Sequence, residues 1–376
     1  MKLRLLALAV AIVAAGCAEE SSPTTERAAL GRLIFEDPAL SQPAGQACAD
    51  CHAARAAFRD PESDHSTSAG AIASRFGARN APSTMYAPAI PDLVLDPVTG
   101  EYTGGQFWDG HAAGLEDQAA LPLLNPIEMN NPDKATVVAA IERAPYARRF
   151  AAAFGPGAFA DVDAAFAHVA EALATYERSA VMSPFDSKYD RYLAGAASLT
   201  PEELRGLAIF EDPARGNCAS CHPSRPGPDG APPMFTTYGY ANLGLPRYAN
   251  SEFYALPRAL NPAGARYVDH GLMTTTGDAR QDGKFRIPTL RNVARTAPYG
   301  HNGYFASLPY LLDFLNTRDV GSTSVGTCSR ATPTATCAWP PPEVARNLEP
   351  RVGHLGLSPD DLDALAAFLD TLSDAR

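Results

Sequence analysis

Apolar positions along this chain recur at helical rather than strand spacing. Val137, Val138 and Ile141 form one stripe behind Asn131-Pro132, and Phe166, Val169, Leu173 and Tyr176 form another. Thr200-Pro201-Glu202-Glu203 reads as an N-cap, a proline at the first helical position and a capping glutamate, ahead of Leu204 to Phe210. Ser358-Pro359-Asp360-Asp361 makes a similar start for a last helix carrying Leu362, Leu365, Phe368 and Leu372. Strand patterns are sparse, and 29 glycines and 33 prolines interrupt the rest. The pattern predicts a mainly α protein with long irregular loops, and residues 183–197 read as a linker between two halves.

A duplication supports that division. Ile34-Phe35-Glu36-Asp37-Pro38-Ala39 recurs 175 residues later as Ile209-Phe210-Glu211-Asp212-Pro213-Ala214, and each copy leads into a Cys-x-x-Cys-His motif. The motifs are Cys48-Ala49-Asp50-Cys51-His52 and Cys218-Ala219-Ser220-Cys221-His222. Two thiols at this spacing add to the two vinyl groups on one porphyrin edge, and the adjoining histidine presents an imidazole to the iron. Zinc would require two such pairs closing one site, and a redox dithiol has no use for the trailing histidine. The motifs therefore predict two covalently bound c-type haems and electron transfer.

Lys2 and Arg4 precede an apolar run from Leu5 to Ala15 that is too short for an ordinary membrane-spanning helix and reads as a secretion signal. It ends in Val13-Ala14-Ala15-Gly16-Cys17, a lipobox-like stretch with Ala in place of the usual Leu, so residues 1–17 read as a signal peptide with a lipobox and Cys17 is expected to become the lipidated first residue, simple signal cleavage being the alternative. The expected location is the periplasm, on a membrane only through that anchor. Four of the seven cysteines serve the haems; Cys328 and Cys337 bracket a loop that an oxidising compartment would close. Losing Lys2 and Arg4 makes the formal charge of -11 more negative by two, which argues against nucleic acid and suits a basic electron donor.

Further motifs give the chain a specific resemblance. They are Leu30-Gly31-Arg32-Leu33-Ile34-Phe35, Arg79-Asn80-Ala81-Pro82, Gln106-Phe107-Trp108-Asp109-Gly110, Gln118-Ala119 and Asn125-Pro126-Ile127-Glu128-Met129. Pro288-Thr289-Leu290-Arg291-Asn292-Val293 follows, running into Thr296-Ala297-Pro298-Tyr299-Gly300-His301-Asn302-Gly303. Over nearly the whole mature chain the sequence resembles the bacterial dihaem cytochrome c peroxidases and their relative, the dihaem enzyme that matures tryptophan tryptophylquinone in methylamine utilisation. The resemblance implies two cytochrome c-like haem domains in tandem, at 24–190 and 196–376, the first peroxidatic and the second electron-accepting. It implies that Glu128 is the catalytic base, that Gln118 hydrogen-bonds peroxide or a bound water, and that Trp108 lies between the haems. It further implies a calcium ion held by Asn80 with the carbonyls of Thr296 and Pro298, oxygen donors such as a hard cation needs. Hydrogen peroxide as substrate, a small cytochrome c or copper protein as donor, and a homodimer belong to the same expectation.

Two positions depart from the family. Where the peroxidases place a histidine that caps the first iron, this chain has Ala71, in Thr67-Ser68-Ala69-Gly70-Ala71; His65, on the same loop, is the alternative ligand. Fourteen residues after His301, where relatives supply Met or Tyr to the second iron, stands Leu315; Met273, His270 and Tyr310 are the alternatives, as is an iron with no further ligand. Three functions follow from this reading: a peroxidase passing electrons from the C-terminal to the N-terminal haem, a dihaem oxidase of a protein or organic substrate by long-range electron transfer, and a plain electron carrier. A carrier has no use for Gln118 and Glu128 in a haem pocket.

Overall fold

The computed structural model describes residues 22–61, 65–320 and 338–375. Among these the chain forms eleven α-helices and two short antiparallel strand pairs. The first half holds α1 (Pro23–Phe35), α2 (Cys48–Cys51), α3 (Leu115–Leu124), α4 (Lys134–Arg143), α5 (Ala147–Phe154) and α6 (Val162–Glu177). The second holds α7 (Lys188–Leu193), α8 (Pro201–Glu211), α9 (Leu272–Thr276), α10 (Leu308–Thr317) and α11 (Pro359–Asp370). The strands β1 (Val94–Leu95) and β2 (Tyr102–Thr103) pair in one ribbon, β3 (Tyr240–Ala241) and β4 (Phe285–Arg286) in the other. No helix among the described residues is long and apolar enough to cross a membrane.

The expected caps form. Thr200 and Ser358 each accept from the backbone of the acidic residue three positions on, whose carboxylate returns the bond. The α4 helix begins two residues later than Asn131-Pro132 suggests, because the Asp133 carboxylate accepts from Thr136 N at 2.8 Å and is the stronger cap. The larger correction concerns the linker. Within 183–197 lies α7, closed by a Ser187–Asp190 capping box, and its Tyr189 is buried in the second core. Arg291 holds Asp190 through two bonds of 2.9 and 2.8 Å, so tertiary contact fixes a stretch too short to show a helical stripe.

The duplication is physical as well as textual. α1 crosses α6, and α8 crosses α11, each at a glycine of the repeat. A Cβ on Gly31 would lie 1.9 Å from the Ala172 carbonyl oxygen, and one on Gly206 would lie 1.9 Å from that of Ala364. Phe35 stacks edge-on to Tyr176 as Phe210 does to Phe368, at 5.3 and 5.1 Å. Asp37 and Asp212 each turn the chain by accepting from the amide two residues on, at 2.8 Å. Two separate apolar cores result, one drawing on residues from Leu30 to Met182 and the other from Tyr189 to Leu372. Each crossing delivers the chain to its own Cys-x-x-Cys-His motif.

Candidate functional site

Both motif histidines are prepared alike. His52 Nδ1 lies 3.2 Å from the Phe58 carbonyl oxygen and His222 Nδ1 lies 2.7 Å from that of Phe235. One nitrogen of each ring is thereby committed, leaving Nε2 for a metal. Burial lowers the pKa of His52 and pushes that of His222 down to about 4, so both rings are neutral near pH 7. Cys48, Cys51, Cys218 and Cys221 form no disulfide. Burial pushes the Cys48, Cys51 and Cys218 thiols up to about 12. Paired neutral thiols beside a neutral, oriented imidazole are a donor set that fits covalent haem and its iron.

The first motif faces a carboxyl. Gln118 lies half-buried on α3, and Pro122 removes the backbone donor that would meet the Gln118 carbonyl in a regular helix. The chain then folds back, with Glu128 N donating to Asn125 O and Met129 N to Pro122 O. Asn125 Nδ2 donates to Glu128 Oε1 at 2.9 Å. The Glu128 charge is close enough to both Cys48 and Cys51 to raise their pKa values. Burial raises the pKa of Glu128 itself, against the pull of Asn125 and His111.

The loop of the first departure closes over the same turn. Ala71 N donates to Glu128 O at 2.8 Å, and Gln46 Nε2 donates to Ala69 O at 2.8 Å. A Cβ on Gly70 would lie 1.8 Å from the Ile127 carbonyl oxygen, so only glycine permits this approach. Ala71 therefore stands beside Glu128. His65 Nδ1 lies instead 2.9 Å from Glu252 Oε1, an ion pair when the ring is protonated, and its ring packs on Phe76 at 4.7 Å.

Trp108 occupies the seam between the halves. Its Nε1 donates to Asn80 O at 2.9 Å, and its carbonyl accepts from Arg286 N in β4 at 2.8 Å. Asn80 N donates to His301 O, and Asn80 Nδ2 to Pro298 O, both at 2.8 Å. Among the described residues no three His, Cys, Asp or Glu side chains are grouped to hold a metal ion, so a cation at this place would rest on amide and carbonyl oxygens.

Four residues beyond the sequence-derived set join these. Arg79 bridges Asp109 at 2.8 Å and Asp269 at 2.7 Å, both carboxylates nearly fully buried. His111 Nδ1 lies 2.5 Å from Asp109, and its ring stacks on Phe107 at 4.1 Å. Its place immediately after the Gln106–Gly110 motif was the available signal.

Glu177, at the end of α6, is 5% exposed, and its Oε2 has no hydrogen-bond partner. Burial pushes its pKa up to about 8, with Arg178 opposing and Glu116 adding to the shift, and it raises the pKa of Cys48. Between the ordinary carboxyl pKa and that value the folded protein binds the extra proton. The stabilisation is thus complete in acid and lost as pH rises through about 8, amounting to at most about 5 kcal/mol. Glu177→Gln is expected to narrow the difference in unfolding free energy between pH 5 and pH 8. An unchanged difference in denaturant titrations at the two pH values would contradict this.

At the second motif, the candidates for the far ligand do not converge. Met273 lies on α9, which packs against residues 279–281 and is absent from the apolar cluster that holds Cys218. His270 Nδ1 pairs with Asp282 at 2.7 Å. Leu315, like Cys218 and Ala219, is partly buried and packs against the second apolar core. Cys17, Cys328 and Cys337 lie outside the described residues.

Two oriented histidines, each in a Cys-x-x-Cys-His motif that follows a repeated helix crossing, fit a protein with two c-type haems, and the cysteines of the first motif lie beside a buried carboxyl. The family described as di-haem cytochrome c peroxidase matches residues 25–198. The chain is 42% identical over 381 residues to the methylamine utilization protein MauG of Paracoccus denitrificans, covering 99% of this chain and 95% of that protein. It is 30% identical to the cytochrome c peroxidase Ccp of Escherichia coli over 79% of this chain and 54% of that protein. The crystal structure of the diheme peroxidase BthA from Burkholderia thailandensis superposes with a TM-score of 0.76 at 34% identity, covering 94% and 89% of the two chains. The chain belongs to the dihaem cytochrome c peroxidase and MauG family, and two c-type haems come with that membership.

Proposed function

We propose that this protein reduces hydrogen peroxide to water at the first haem, using electrons that reach it from the second. The observation that carries the reading is the Glu128 carboxyl, set beside the first motif and roofed by a loop that offers alanine where a histidine would close the iron. Cys48, Cys51 and His52 would hold one haem, whose iron would supply a Lewis acid for the oxygen–oxygen bond, and Cys218, Cys221 and His222 would hold the other, which would supply a store for an electron.

The protein's own groups do the rest. Glu128 takes the proton from the nearer peroxide oxygen and returns it to the farther one, so the departing oxygen leaves as water. Two further protons and two electrons complete the second water. Gln118 holds peroxide in register through its amide. Trp108, bonded to Asn80 on one side and to Arg286 on the other, gives the electron an aromatic stepping point across the seam.

A small cytochrome c or copper protein in the periplasm is the proposed donor. Asn80 with the Thr296 and Pro298 carbonyls is the proposed calcium site; the Asn80 side chain reaches Pro298 O, at present through an Nδ2 hydrogen bond of 2.8 Å, and turning the amide over would bring Oδ1 to the same place as an oxygen donor. The stronger likeness to a methylamine utilization protein favours a second reading, oxidation of a protein or organic substrate. Leu315 argues against it, since it denies the second iron the tyrosine of that relative. Oxidation of a reduced small cytochrome by peroxide in steady state tests the choice. Turnover dependent on both reactants is expected; its absence in the parent protein rejects the peroxidase.

A further inference from the structure

Tyr86 stands between the groups that orient the two motif histidines. On one side, the Phe58 carbonyl that meets His52 Nδ1 also accepts from Thr84 N, two residues before Tyr86, at 3.2 Å. On the other, the Arg291 guanidinium lies 4.9 Å from the Tyr86 ring and 5.9 Å from that of Phe235, whose carbonyl meets His222 Nδ1. Tyr86 N donates to Met182 O at 2.9 Å, and the residue is 1% exposed, so solvent does not reach its ring.

The Tyr86 hydroxyl has a base of its own. It donates to Asp374 Oδ1 at 2.8 Å and Oδ2 at 3.0 Å, and it accepts from Phe185 N at 3.1 Å. Asp374 is buried as well; Asn292 Nδ2 donates to its Oδ2 at 2.6 Å, and Asn292 Oδ1 accepts from its amide at 2.9 Å. A phenol gives up an electron readily only where its proton can leave too, and a carboxylate in hydrogen-bond contact takes that proton. Burial works in the same direction, because it penalises the carboxylate and spares the neutral acid. Trp108 has no such partner, since its Nε1 proton faces the Asn80 carbonyl, which is no base. Tyr146 donates to Asp37 at 2.5 Å, but it lies in the first core alone and Asp37 is only half-buried.

We propose that Tyr86 is a redox-active residue, giving one electron toward the first motif while its proton passes to Asp374. This rests on the reading that hydrogen peroxide is reduced at that motif. Peroxide is the oxidant, taking up two electrons and two protons to give two waters; Tyr86 supplies one of the electrons and the haems the other. The Tyr86 O–H bond breaks, an O–H bond forms on Asp374, and a neutral tyrosyl radical remains in the seam. An electron from the donor protein, with the proton returned by Asp374, restores the phenol. The seam then holds a one-electron source separate from Trp108.

Freeze-quenched electron paramagnetic resonance of the oxidised holoprotein mixed with hydrogen peroxide, with and without ring-deuterated tyrosine, tests this. A radical signal that deuteration narrows is expected. Tyr86→Phe keeps the packed ring and is expected to lose the signal at unchanged haem content. Asp374→Asn keeps an acceptor oxygen but no base, and is expected to slow radical formation by roughly 10²-fold or more. A parent whose haem spectrum responds to peroxide without a tyrosine radical overturns the inference and leaves the peroxide reading standing. No response of the haem overturns both. A radical that persists in Tyr86→Phe, or that is lost instead in Tyr146→Phe, overturns the assignment. Where Tyr86→Phe does not fold, an Asp374→Asn protein that forms the radical at the parent rate overturns it equally.

Discussion

Glu128→Gln is expected to lower kcat/KM for hydrogen peroxide by roughly 10² to 10⁴-fold, the usual worth of a positioned acid–base group. The amide keeps the shape of the side chain and still offers an oxygen to Asn125 Nδ2, so the turn and the attached haems are retained. What disappears is the ability to carry a proton. Because burial raises the pKa of Glu128 above the usual carboxylate range, parent activity should climb as pH passes through that raised value, where the base becomes ionised. The variant should lose this limb of the profile. Steady-state rates across pH, with haem content measured by absorbance, check both effects, and a variant with the parent rate and profile would remove Glu128 from the chemistry.

Arg79→Ala is expected to cost about 3 to 5 kcal/mol, the typical loss when one member of a buried charge group is removed. Burial alone would lower the Arg79 pKa, yet Asp269 and Asp109 together raise it. Those carboxylates are in turn held below their usual range, Asp269 by Arg79 and Asp109 by His111 and Arg79, against burial. Their contribution to stability is present above the unfolded carboxylate pKa and is lost as pH falls through the depressed values. Removing the guanidinium strands two buried negative charges in the seam between the halves. Arg79→Lys keeps the charge but not the fork that meets two carboxylates, and should fall between the two. Denaturant unfolding followed by circular dichroism measures this; a loss under about 1 kcal/mol for the alanine variant would contradict it.

The local parts of this architecture are legible in the sequence because their causes are local. The Thr200 and Ser358 capping boxes, the Val137–Ile141 stripe and the two haem motifs each depend on residues a few positions apart. The repeat at Ile34 and Ile209 also marks the two glycine crossings, since Gly31 and Gly206 stand at the same place in each copy. Glu128 could be singled out only because a known motif surrounds it. Long-range causes left no such trace. Arg79 and Asp269 are 190 residues apart in sequence, and α7 is held by Arg291, a hundred residues downstream. Glu177 reads as the polar end of a helix until the crowding of α6 shows it buried.

The most direct measurement mixes hydrogen peroxide with the fully oxidised holoprotein and follows the haem spectrum by stopped flow. With Ala71 beside Glu128 and His65 held to Glu252, peroxide is predicted to react at once, before any reductant is added, and the resting first iron to be high-spin. A low-spin first haem with two histidine ligands, inert to peroxide until an electron is supplied, would contradict the account.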